Sequence, residues 1–83
     1  MMYCKEYEFN LWRDVDGEQR PVVWVELYAD TVPSPLPTNA VDIDNFPKNY
    51  EPSKVIFAPG SALIVVNTGA VYLANNQGVF KAQ

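Results

Sequence analysis

The chain has 83 residues, a net charge of −4, no histidine and a single cysteine. That length holds one domain, and its core is small, because a chain of this size buries only about 60–65% of the surface it exposes when unfolded. The composition removes an intrachain disulfide, an imidazole base, a Ser-His-Asp arrangement and a structural zinc site. Self-association or a docking partner is left as the source of added stability.

The six basic residues, Lys5, Arg13, Arg20, Lys48, Lys54 and Lys81, are scattered along the chain. Nucleic-acid binders concentrate theirs against phosphates, so no nucleic-acid partner is expected. The longest apolar run, Ala62 to Val66, is far short of a membrane span. The segment Met1-Met2-Tyr3-Cys4-Lys5-Glu6 lacks the charged-then-apolar layout of a secretion signal. The expectation is a soluble protein made in the cytoplasm, without membrane association.

Residues 3 to 13 alternate, with Tyr7, Phe9 and Leu11 on one side and Glu6, Glu8 and Asn10 on the other. Period two with aromatic residues predicts a half-buried strand. Residues 22 to 29 predict a second, with Val23, Val25 and Leu27 on one face and Val22, Trp24, Glu26 and Tyr28 on the other. Asp16-Gly17 between them is a hairpin signal. A two-residue turn there would set Phe9 opposite Trp24 and mix the faces. A three-residue loop with a bulge at Gly17 sets Phe9 opposite Val23 and Tyr7 opposite Val25 instead. The bulged hairpin is favoured because it yields one clean apolar face.

From Thr31 to Ser53 lie five of the seven prolines. Pro33-Ser34-Pro35-Leu36-Pro37 predicts extended, polyproline-like chain, since alternate residues lack an amide donor. Val41-Asp42-Ile43-Asp44 alternates and predicts one short edge strand. Phe46 and Tyr50 are expected to pin this long strap to the body.

The last module runs from Lys54 to Ala82. Pro59-Gly60 suits a turn, and Ala62 to Val66 is a continuous apolar strand. A three-residue loop, Asn67-Thr68-Gly69, would pair Val65 with Val71 and Ile64 with Tyr72. Asn75-Asn76-Gln77-Gly78 turns the chain once more before Val79 to Lys81. These strands are apolar on both faces and so need covering twice, which in a short chain points to a second molecule.

Chemistry is sparse. Cys4 reads as a buried thiol rather than a nucleophile. A glycosidase pair could be drawn from Asp42, Asp44 and Glu51, but acids in a Pro-rich loop are ordinarily just solvated. Asp14-Val15-Asp16-Gly17-Glu18 is too short for a calcium loop's ligand set and reads as a solvated hairpin tip. Trp12, Trp24, Tyr28, Tyr72 and Phe80 could form an aromatic face. Glu26 between Trp24 and Tyr28 argues against a nucleic-acid platform there, while interfaces favour such rings. No enzyme, metal or cofactor is expected.

The order of pieces from Ala29 onward carries a resemblance. Ala29-Asp30-Thr31, a Pro-bearing link, Val41-Asp42-Ile43-Asp44-Asn45, Ala58-Pro59-Gly60-Ser61, Thr68-Gly69-Ala70-Val71-Tyr72 and the closing Gly78-Val79-Phe80 together resemble small head- and neck-region structural proteins of tailed phages and prophages of Gram-positive bacteria. The resemblance covers about the last two thirds of the chain, is a pattern of turns and strands, and implies a virion-associated or assembly protein without enzymatic activity. It transfers no site residues.

The expected fold is a mainly β single domain of about six short strands, a sandwich or partly open barrel, spanning residues 1–83. An N-terminal hairpin (3–29) is joined by the Pro-rich strap (31–53) to a C-terminal meander (54–82). The expected function is a non-enzymatic structural or assembly role, in the host cytoplasm and then the virion, through contact with itself or with a phage capsid or tail component. The candidate contact residues are Leu63, Val65, Val71 and Leu73 on one face, or Ile64, Tyr72, Trp24 and Tyr28 on the other. The alternative is a carbohydrate- or peptide-binding module using Trp24 and Tyr28 as a platform.

Overall fold

The alternating residues of the N-terminal third form a long antiparallel hairpin, β1 (Met2–Val15) and β2 (Glu18–Ala29). The computed structural model describes all 83 residues. Phe9 pairs with Val23 and Tyr7 with Val25, as expected, but the irregularity lies elsewhere. The turn is a two-residue one: Val15 pairs with Glu18, and Asp16 and Gly17 both hold positive φ, 53° and 82°. Asp-Gly suits that mirror-image turn because its twist matches the strands. The bulge sits instead between Phe9 and Leu11, and a second one lies between Cys4 and Glu6. Asn10 and Leu11 together oppose Val22, so Leu11 leaves the face of Tyr7 and Phe9, and Trp12 takes its place.

The remaining strands are β3 (Ile43–Asp44), β4 (Ile56–Phe57), β5 (Ala62–Val65), β6 (Ala70–Ala74) and β7 (Phe80–Ala82), with one 3₁₀ turn at Pro52–Lys54. The mainly β, single-domain class holds. All seven strands belong to one mixed sheet, ordered β3-β1-β2-β5-β6-β7 with β4 also on β2, and the sheet is not closed into a barrel. The N-terminal hairpin and the C-terminal meander therefore meet edge to edge. Both β4 and β5 lie parallel to β2, an orientation that the strap makes possible by carrying the chain back to the other end of the sheet.

Between β4 and β5 the chain bulges at Pro59-Gly60, and Ser61 repairs the gap. Its buried hydroxyl accepts the Val25 N–H at 3.0 Å, replacing a missing ladder bond. The Trp24 indole N–H donates to the Gly60 carbonyl at 3.1 Å over the same turn.

The strap supplies the second layer. Its Ala40, Ile43 and Phe46, with Val55 just beyond it, pack onto Cys4, Val23, Val25, Leu27, Ala29, Phe57, Leu63, Ala74 and Phe80 in one cluster. Phe46 is buried and Tyr50 stacks against Phe9, so both expected pins are in place. Only Ile43 and Asp44 of the alternating stretch make strand, parallel to Met2 and Tyr3. Lys54 and Arg20 fasten the far end: Lys54 pairs with Glu18, and the Arg20 guanidinium donates to the carbonyls of Lys54 (3.1 Å) and Ser53 (3.2 Å).

The β5–β6 loop has four residues, Val66 to Gly69, where three were expected, so Val65 pairs with Ala70, Ile64 with Val71 and Leu63 with Tyr72. One residue of slip exchanges faces. Tyr72 packs on the core side with Leu63 and Val65, while Val71 and Leu73 turn outward with Ile64. The apolar strand is thus fully covered on one face only: Leu63 and Val65 are 0% exposed, whereas Ile64 is half-buried among Tyr28 and Val71.

Candidate interaction surfaces

Three surfaces stand out, and the first is the limb formed by the outer part of the hairpin. Beyond Tyr3 no strand lies on the free side of β1, so it is an edge strand along most of its length. Long edges bearing apolar side chains recruit other chains. Here the face shared with the strap carries Tyr7, Phe9 and Trp12, which are 51%, 38% and 55% exposed. They continue a chain of rings that starts under the strap. Phe46 lies 6.3 Å from Tyr50, Tyr50 is nearly parallel to Phe9 at 6.1 Å, and Phe9 tilts against Trp12 at 5.5 Å. Sequence reading placed Trp12 in an aromatic face with Trp24, Tyr28, Tyr72 and Phe80, and the structure separates them. Phe80 is in the core beside Phe57, Tyr72 packs against that core, and Trp24 and Tyr28 lie on the opposite face.

The second surface is a cleft of about 1000 Å³ between the strap and the edge of β1. Tyr7, Ile43, Phe46 and Tyr50 give it apolar walls, and Lys5, Lys48, Asp42, Asp44 and Glu51 bring charge of both signs. The three loop carboxylates all line this cleft and are exposed to solvent. Asp42 and Asn45 in its wall have positive φ, 67° and 62°, and the Asn45 amide donates to the Cys4 carbonyl at 3.1 Å and the Tyr3 hydroxyl at 3.2 Å. Those bonds hold the bend at Asn45 against β1.

The third is the outer face of the sheet, where Tyr28, Ile64 and Val71 form one row and Glu26, Ala62, Leu73 and Lys81 the next. Of the eight residues expected to make contacts, Trp24, Tyr28, Ile64, Val71 and Leu73 are here, all half-buried. Leu63, Val65 and Tyr72 belong to the core side. Trp24 spends its indole N–H on Gly60, and the Tyr28 phenol is pushed up by hydrogen bonding to Glu26 and then by that carboxylate's charge.

Cys4 is buried and its thiol is pushed up by desolvation, which makes it a poor nucleophile. At the hairpin tip the Asp14 carboxylate accepts the Gly17 N–H at 2.8 Å, a turn-forming role that accounts for it. No group of three or more His, Cys, Asp or Glu residues is placed to hold a metal ion, and no helix is long and apolar enough to cross a membrane. No known protein family matches the chain, and neither a curated protein nor a solved structure shows a significant match to it.

Proposed function

We propose that this protein is a non-enzymatic assembly module that associates through the exposed edge and aromatic face of β1. The observation that carries this reading is the limb: an unpaired strand edge that presents Tyr7, Phe9 and Trp12 to solvent on a hairpin only partly covered by the strap. Rings of this kind dominate the energetics of protein contacts when they become desolvated. Together with the likeness of residues 29–80 to head- and neck-region proteins, it supports a structural role in a tailed phage, in the host cytoplasm during assembly and in the virion afterwards, with itself or a capsid or tail component as partner.

Light scattering over a wide range of protein concentration tests the reading. The expected result is an oligomer that dissociates on dilution and is converted to monomer by Trp12→Glu, whereas Leu73→Glu on the outer face leaves it intact. A wild-type protein that stays monomeric throughout and binds no capsid or tail protein overturns it.

The cleft supports a second reading, as a ligand-binding module for an extended peptide or a sugar. Its mixed charge and ring walls fit either ligand, and its lining includes neither Trp24 nor Tyr28. Binding on a peptide or glycan array that is lost in Tyr50→Ala and kept in Trp24→Ala would favour it.

A further inference from the structure

The residues on the strap-side face of β1 are unevenly spaced in the chain yet evenly spaced across the sheet. Tyr7, Phe9 and Trp12 pair with Val25, Val23 and Pro21, because the bulge at Asn10 absorbs the extra residue. The aromatic row is therefore symmetric about Phe9. So is the row on the opposite face: Glu6 and Arg13 pair with Glu26 and Arg20, equal distances either side of Val23.

The backbone is in phase with that symmetry. The Val25 N–H donates to Ser61, and the Val23 carbonyl accepts from Ala58 at 2.9 Å, both away from β1. Such residues occupy the non-hydrogen-bonded positions of an antiparallel ladder, so Tyr7 and Phe9 also turn their N–H and C=O groups away, toward the free edge. Pro21, which has no N–H to give, keeps Trp12 in the same phase.

Charge completes the pattern. Glu6 faces Glu26 and Arg13 faces Arg20, two like-charge cross-strand pairs of a kind that destabilises a sheet. Neither Glu6 nor Arg13 has an ion pair, since the molecule's one salt bridge joins Lys54 to Glu18.

We propose that β1 pairs antiparallel with β1 of a second copy, about a two-fold axis at Phe9. This rests on the self-association reading above and specifies its partner and register. In this pairing Phe9 meets Phe9, Tyr7 meets Trp12 of the second copy twice, and each Glu6 meets an Arg13. The two sheets join into one, the aromatic row doubles, and Glu6 and Arg13, neither of which has an ion pair within one molecule, each gain an opposite charge.

Charge reversal and cross-linking test this register. Arg13→Glu or Glu6→Arg alone is expected to weaken dimerisation about tenfold at low salt, and the combined variant to restore it to within about threefold. Phe9→Cys, with the buried Cys4 left in place, is expected to give a disulfide-linked dimer on mild oxidation, because residues in a hydrogen-bonded antiparallel pair sit about 5.5 Å apart at Cα. Trp12→Cys is expected not to cross-link with itself. A dimer that ignores both charge reversals, or that Trp12→Cys links and Phe9→Cys does not, overturns the register while leaving self-association standing. A protein monomeric at every concentration overturns both.

Discussion

Single side chains decide how the strap and the turns are held. Gly78 adopts φ of +77°, and a Cβ there would sit 3.1 Å from the Phe57 carbonyl oxygen, whereas one at Gly60 (φ +85°) meets nothing within 4 Å. Gly60→Ala is thus penalised by backbone conformation alone, about 1–2 kcal/mol. Gly78→Ala carries the same penalty plus displacement of core backbone, and is expected to lower chemical-denaturation stability by clearly more. The Glu18–Lys54 pair adds a pH dependence. The hydrogen bond from Lys54 holds the Glu18 carboxyl below its ordinary value of 4.5, against a smaller opposing effect of desolvation. A depressed acid contributes stability above its unfolded pKa and loses it as pH falls through the folded value. Glu18→Gln is therefore expected to melt below the wild type near neutral pH, and the gap is expected to close in acid below the usual carboxylate range.

At the scale of elements, what was legible depended on whether the signal was local. Alternation found β1 and β2, their pairing of Phe9 with Val23, and the core face of Val23, Val25 and Leu27. It misplaced Leu11, because a bulge at Asn10 leaves no mark that distinguishes it from a bulge at the turn, and both restore the same pairs. The three-residue step from Phe9 to Trp12 was the one available clue to the aromatic limb. In the second hairpin the loop was one residue longer than expected, and that alone moved Val71, Tyr72 and Leu73 to the other faces. The parallel seating of β4 and β5 on β2 was not legible at all. It is set by the path of the strap, and the strap's sequence encodes extended chain without encoding direction. Its anchors were legible, since aromatic residues in a polar loop have few other uses. Phe46→Ala should remove about 3–5 kcal/mol of packing, a large part of what holds the strap down. Amide exchange is expected to rise across residues 40–54 while β5 and β6 stay protected. Equal loss of protection throughout would show that the strap has no stability separate from the sheet.

For the whole molecule, the order in which the pieces exist in time matters. Strand β2 needs β1 on one flank and β4 and β5 on the other, and that second flank is made from residues 34 to 36 positions further along (Val22 with Ile56, Glu26 with Ala62). During synthesis the hairpin leaves the ribosome first and must wait, half-dressed, until the returning segment emerges to lie beside it. Non-local closures of this kind place a fold among the slow ones, milliseconds to seconds rather than microseconds. Throughout that interval neighbouring nascent chains can meet ribbon to ribbon, so crowding on a polysome would favour paired products over solitary ones.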